Sequence, residues 1–346
     1  MNPSPILNPA ESAENQRCRD ALFELVSSRI AIAFVGAGSS QRCGYPGWGA
    51  LAQQLGDLVG LSPPSTIDLR KNPLRALNFV EQVKACVNTR DRSLAQYHAA
   101  LQQMFAPKKL KAHDNFHEQL VGLPFRAIVT SNYDEVLESA LGAVRVGLRA
   151  VSCDIDDDAR ATSSQFLRSL DRLEDPPVIL HVHGIHTKPT KIILGEQDYV
   201  RAYGWMHERR KKDEADGIGD VGEWTFQSRL MWALFATRSI VFIGFSLTDP
   251  YFNYLLEVVT KDLWEWNQQN HFAVMSLSNE DAEEAKSFAK HLLHKHGIRV
   301  VFYENADGLH TGLDQLIRDA SVFCNTGDRS GWLEAANRRL EGGAVR

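Results

Sequence analysis

The 346-residue sequence predicts an α/β protein: a Rossmann-like, doubly wound and mainly parallel sheet of six strands, with a helical insertion after the first strand. Three observations predict it. Six short apolar runs, several rich in Val and Ile and most without strict alternation, are separated by stretches of helical periodicity, as expected of strands covered on both faces. The first run passes directly into Gly36-Ala37-Gly38-Ser39-Ser40, a junction whose small residues let backbone N–H groups approach a phosphate. Four of the six runs also end in small, amide, carboxylate or imidazole groups, and strand C-termini are where such sheets bind ligands.

The strands are read at Ile30 to Val35, Arg126 to Thr130, Val178 to His183, Ser239 to Gly244, Phe272 to Ser276 and Arg299 to Tyr303. Helical spacing covers Trp48 to Val59, Asp134 to Leu141, Phe226 to Thr237, Tyr251 to Val259 and Glu280 to His294. The gap of about ninety residues between the first two strands is far longer than an ordinary crossover, so residues from about Leu61 to Gln119 form an insertion. Within it Asn72 caps a helix starting at Pro73, whose stripe is Leu74, Leu77, Val80, Val83 and Val87. A second helix carries Leu94, Tyr97, Leu101, Met104 and Phe105 and closes at Pro107, Lys108 and Lys109. Asp154 to Ser163 reads as an exposed acidic loop; its D-x-D-x-D start lacks the glycine and terminal glutamate of a calcium loop.

Composition removes several function classes. The chain is 44% hydrophobic and 23% charged, with a formal net charge of −5 and no overall electrostatic footprint for nucleic acid. The basic run Arg209-Arg210-Lys211-Lys212 is followed at once by Asp213 and Glu214 and reads as a solvated helix face. Neither a signal-peptide core nor an apolar stretch of membrane-spanning length occurs, so a cytoplasmic protein is expected. Cys18, Cys43, Cys86, Cys153 and Cys324 lie far apart without a C-x-x-C pair, which excludes a zinc ribbon and leaves reduced, packing thiols.

The strand ends supply the candidate residues. The glycine junction lacks the third glycine of G-x-G-x-x-G, where Gln41 stands, and is not followed by G-K-[ST]; alone it also fits a tight strand-to-helix turn. Asn132 and Asp134 fit an Asx-turn or helix cap as well as a site. His181 and His183 share one strand face; a metal pair would need further ligands that the neighbouring ends do not offer. His183, beside Gly184, is better placed for acid/base work, whereas His181 reads as packed or hydrogen-bonded within the sheet. Gly244-Phe245-Ser246 can lie under a ribose while Asp249 caps a helix begun by Pro250.

Together, Gly36-Ala37-Gly38-Ser39-Ser40 with Gly44-Tyr45-Pro46-Gly47-Trp48, Thr130-Ser131-Asn132-Tyr133-Asp134, His183-Gly184, and Phe242-Ile243-Gly244-Phe245-Ser246-Leu247-Thr248-Asp249-Pro250 resemble the sirtuin-like domains of bacterial antiviral defence proteins. The resemblance spans roughly Arg29 to Leu316. It implies hydrolysis of NAD to nicotinamide and ADP-ribose, with Asn132 and His183 as the catalytic pair. It implies further that Gly36, Ala37, Gly38 and Ser39 hold the pyrophosphate, that Gly244, Phe245 and Ser246 lie near the adenosine half, and that Asp134 stands near the nicotinamide carboxamide. Since the leaving group is already a cationic pyridinium, what remains is to stabilise an oxocarbenium-like sugar and place a water. Asn132 can orient water or ribose hydroxyls, and neutral His183 can accept a proton from either.

The chain departs from sirtuin-type deacylases by lacking their four-cysteine zinc module and by carrying Ser131 where they have Gln. Deacylation is disfavoured, and no zinc or cofactor beyond NAD as substrate is expected. On this template residues 1–28 are an N-terminal segment, 29–320 the catalytic domain and 321–346 a tail. An unregulated NAD hydrolase would exhaust its host, so control is expected from self-assembly into a homo-oligomer or from a separate protein, for which the resemblance suggests a HerA-type ATPase. The alternatives are a module that binds NAD or ADP-ribose without cleaving it, and a protein deacylase or ADP-ribosyltransferase.

Overall fold

The computed structural model describes residues 6–65, 73–89, 94–107, 112–144, 152–154, 159–172, 177–204, 225–263, 271–305 and 308–326. Seven parallel strands form one sheet: β1 (Ile32–Val35), β2 (Ala127–Thr130), β3 (Ser152–Asp154), β4 (Val178–His181), β5 (Ile240–Ile243), β6 (His271–Leu277) and β7 (Ile298–Glu304). Their order is β3-β4-β2-β1-β5-β6-β7. Every residue of β1, β2 and β5 is buried, because both faces are covered. The strand period sends Ile32 and Phe34 to one face, against Leu230, Met231, Leu234 and Phe252, and Ala33 and Val35 to the other, against Leu22, Leu120, Leu137 and Leu316. Each such aliphatic or aromatic side chain contributes about 1.5–3 kcal/mol on burial, so these two layers fix the sheet.

Six strands are those the apolar runs predict, and the seventh corrects the count. Ser152–Asp154 is short and polar, so periodicity gives no signal for it; it forms on the edge of β4, pairing Cys153 with Leu180. A helix, Ala159–Ser169, takes up the second half of the stretch expected to be acidic loop, held by fully buried Phe166. Arg126, expected to open β2, instead stands before it and donates to the carbonyls of Leu170 and Ser169, capping that helix. The N-terminal stretch, read without structure, forms a helix over Pro9–Ser27 with an Asn8/Glu11 capping box. From it Asn15 donates to the Phe302 carbonyl (3.0 Å) and accepts from the Phe302 amide (2.8 Å), continuing the hydrogen bonding of edge strand β7.

Between β1 and β2 run helices Trp48–Val59, Pro73–Thr89, Leu94–Phe105 and Asn115–Gly122. Leu55, Phe79, Val80, Val83, Tyr97 and Leu101 make a separate apolar cluster there, joined to the sheet end by Tyr133 and Val136. Further helices among the described residues are Val136–Val144, Glu196–Tyr203, Phe226–Thr237, Pro250–Asp262, Ala282–His296 and Thr311–Thr326, with a short one, Ala37–Ser40, directly after β1. The Asn72 cap, Lys108 and Lys109, residues 155–158 of the acidic stretch, the 209–214 charge run and residues 327–346 lie outside the described residues. No described helix is long and apolar enough to cross a membrane.

Candidate functional site

The sheet order makes β4, β2, β1 and β5 consecutive, so the four chemistry-bearing strand ends share one rim. Register levels them: Val35 pairs with Thr130 and Ile243, and Thr130 with His181. The sheet reverses its direction of growth between β1 and β5, where doubly wound folds open a crevice.

On the β1–β5 side the rim is backbone against backbone. The Gly36 N–H donates to the Ile243 carbonyl (2.9 Å), Gly38 to Gly244 (2.9 Å) and Ser39 to Gly36 (3.1 Å). Ala37 N–H, the first of the short Ala37–Ser40 helix, has no acceptor among the described residues. A Cβ on Gly36 would stand 2.6 Å from the Gly244 oxygen and 2.7 Å from Phe245 Cα; one on Gly38 would stand 2.9 Å from the same oxygen. Gly244 has φ +63° and its Cβ would meet the Ser39 nitrogen at 2.8 Å. The glycines are thus demanded by contact between two turns, whatever else they bind. Phe245 packs into the core against Phe34 (4.8 Å between centroids) and Phe252 (5.3 Å), while Ser246 is exposed with its Oγ 2.8 Å from Thr248 Oγ1.

The β2–β4 side is built from side chains. Asn132 is buried and its Nδ2 donates to the Gly36 carbonyl (3.1 Å) and to Ser40 Oγ (2.9 Å), tying β2 to the glycine turn. Its Oδ1 is buried without a donor among the described residues. Asp134 accepts from the Val136 N–H (3.1 Å) and from Ser40, closing an Asx-turn just before the helix that starts at Val136; burial raises its pKa against those two bonds. Beneath them His181, fully buried, donates from Nδ1 to the Asn132 carbonyl (2.8 Å) and from Nε2 to Glu138 (2.6 Å). Burial opposes its charge, yet the Glu138 hydrogen bond and charge carry its pKa above the ordinary histidine value. Two acceptors on two ring nitrogens define an imidazolium.

His183, two residues on, lies in an aromatic cage of Tyr199 (5.1 Å), Tyr203 (6.0 Å) and Phe252 (5.5 Å). With no charged partner, burial alone pushes its pKa down to about 3, so it is neutral. Its Nε2 is 3.1 Å from the Tyr203 hydroxyl and its Nδ1 has no partner among the described residues. Gly184, at φ +85°, turns the chain where a Cβ would lie 2.8 Å from the Lys191 carbonyl. Asp249 caps the Pro250–Asp262 helix through the Tyr251 and Phe252 amides and accepts from Tyr199 (2.8 Å).

The rim therefore joins a neutral imidazole, an amide carbonyl lacking a donor and a serine-linked carboxylate, a set suited to orienting hydroxyls and water rather than to holding a metal. No group of three or more potential metal ligands occurs among the described residues. Glu138, Tyr199, Tyr203 and Gln227, which support these groups, were not singled out by the sequence. Tyr199 and Tyr203 do share a helix face at i, i+4, but nothing in that spacing names the histidine they enclose.

The family of the SIR2-like domain matches residues 126–301, which include the Asn132, His183 and Gly244 strand ends. Among curated proteins, the NAD(+) hydrolase ThsA of Bacillus cereus (strain MSX-D12) is 22% identical over 269 residues, covering 78% of this chain and 48% of the relative. Defense-associated sirtuin 2 of Bacillus subtilis is 26% identical over 247 residues, covering 70% of this chain and 20% of the relative. The chain thus spans about half the length of the first relative and a fifth of the second.

Proposed function

Because the chain belongs to the SIR2-like domain family, we propose that it is an NAD glycohydrolase that cleaves NAD to nicotinamide and ADP-ribose and depletes cellular NAD in antiviral defence. The observation that carries this reading is the Asn132 Oδ1, buried without a donor at the end of a strand adjacent to that of neutral His183. A buried acceptor of this kind is completed by a hydroxyl or a water, and the ribose next to nicotinamide offers hydroxyls. The names of the two bacterial relatives, one an NAD(+) hydrolase and one a defence-associated sirtuin, support the same substrate and setting.

In the reaction the C1′–N bond breaks with its electron pair passing to the pyridinium nitrogen. A water oxygen bonds C1′ and releases one proton, giving nicotinamide, ADP-ribose and a proton. Asn132 and His183 position the ribose hydroxyls and the water around the developing oxocarbenium. Gly36, Ala37, Gly38 and Ser39 take the pyrophosphate, Gly244, Phe245 and Ser246 the adenosine half, and Asp134 the carboxamide. The enzyme works in the cytoplasm and is restrained by homo-oligomerisation or by a HerA-type ATPase in trans. The test is incubation of the purified protein, alone and with its genomic-neighbour product, with NAD, followed by chromatography. Nicotinamide release that Asn132→Ala and His183→Ala lower by about a hundredfold is expected; no nicotinamide under either condition, or an Asn132→Ala protein as active as wild type, overturns the reading.

A further inference from the structure

Two helices converge behind His183. Tyr203 ends the Glu196–Tyr203 helix and Gln227 lies in the first turn of Phe226–Thr237. Gln227 is buried and its Nε2 donates to the Val182 carbonyl, an acceptor only, which fixes the orientation of the amide. The same Nε2 is 3.1 Å from the Tyr203 hydroxyl oxygen and donates to it. The Tyr203 proton then has one acceptor among the described residues, His183 Nε2 at 3.1 Å. The chain of bonds runs one way, from Gln227 through Tyr203 to His183.

From this we infer that Tyr203 and Gln227 are positioning residues that hold His183 in its Nδ1–H tautomer, so that the imidazole presents a hydrogen-bond donor, not a base, to the substrate. A neutral imidazole whose Nε2 accepts from tyrosine carries its one proton on Nδ1. This reverses the expectation that His183 accepts a proton: in the resting site Nδ1 is already protonated and Nε2 is held by Tyr203. His183 then pairs by donation with a ribose or water oxygen while Asn132 Oδ1 accepts, and the two groups give the bound oxygens a single hydrogen-bond direction. The proton released by the attacking water passes to bulk solvent rather than to His183 Nδ1. The contrast with His181, two residues earlier at the end of β4, is direct: that ring faces two acceptors and is charged.

The assignment of the tautomer rests on the geometry alone, whereas its catalytic consequence rests on the proposed NAD hydrolysis. Nitrogen-15 spectra of the full-length protein labelled at histidine, with His183→Gln locating the His183 signals, read the tautomer directly. A pyrrole-type Nδ1 and a pyridine-type Nε2 are expected at pH 7, collapsing to a mixture in Tyr203→Phe and in Gln227→Leu. An Nε2–H or mixed pattern in the wild type, or an unchanged one in a folded Tyr203→Phe, overturns the inference. In NAD turnover, Tyr203→Phe lowers kcat about tenfold or more with KM within about twofold; kcat equal to wild type overturns the role. Should NAD not be cleaved at all, the spectra still decide the tautomer, so the two readings fail separately.

Discussion

The two halves of the rim are built by opposite means. On the β1–β5 side, two turns pack main chain to main chain through Gly36, Gly38 and Gly244, and three of the four amides of residues 36–39 are bonded to carbonyls. On the β2–β4 side, Asn132, Asp134, His181 and His183 do the work with side chains, over a buried imidazolium–carboxylate pair. The first half leaves no room for a Cβ at its glycines; the second depends on charge and proton placement. A glycine signature can therefore report packing as well as phosphate approach, and here the packing demand is visible in the fold itself.

The largest expected effect breaks the first half. Gly36→Ala puts a methyl among backbone atoms that cannot rotate away and costs at least about 3 kcal/mol in urea denaturation. Gly142→Ala, at an exposed position of the Val136–Val144 helix with nothing within 4 Å of its Cβ, raises stability by roughly 0.5–1 kcal/mol. Equal losses at both positions would mean that the turn contact is not tight.

The second half is broken by Glu138→Gln, which leaves the buried His181 without its carboxylate and costs roughly 2–3 kcal/mol near pH 6. Because the folded pKa of His181 is raised, its contribution is full below the unfolded value of about 6.5 and is lost as pH rises through the folded value. The cost of Glu138→Gln therefore shrinks toward alkaline pH; a cost that grows there would contradict the imidazolium.

His183 acts with the opposite sign. Its folded pKa of about 3 lies below the unfolded value, so stability falls as pH drops from about 6.5 toward 3, by about 1.4 kcal/mol per unit at most. Buried His271 and His296, each near 4, add to the same acid limb. Thermal melts of His183→Gln across that range should show a shallower limb than wild type. The smallest effect separates neighbours in one turn: Ser246→Ala, at an exposed side chain, changes stability by no more than about 0.5 kcal/mol, against a strained and clashing Gly244→Ala.

Much of this rim was legible in the sequence because its parts are local. Apolar runs marked β1, β2, β4 and β5, and each motif sits within a few residues of its strand end. What was not legible is relational. Ser152–Asp154 is a strand because β4 has an edge to offer, not because of its own residues. Tyr203 and Gln227 reach His183 across 20 residues or more of sequence, and Glu138 reaches His181 across 43.

By itself, then, the sequence determined the parallel α/β class, the insertion after β1 and the set of groups at the strand ends, since hydrophobic periodicity and turn chemistry act over a few residues. Only the tertiary structure decided which histidine is charged and which neutral. His181 and His183 are the same residue type two positions apart, the first closing β4 and the second in the bend just past the strand that was expected to hold both, and the difference comes from what long-range packing sets against each ring: a carboxylate and a carbonyl for one, tyrosines and a phenylalanine for the other.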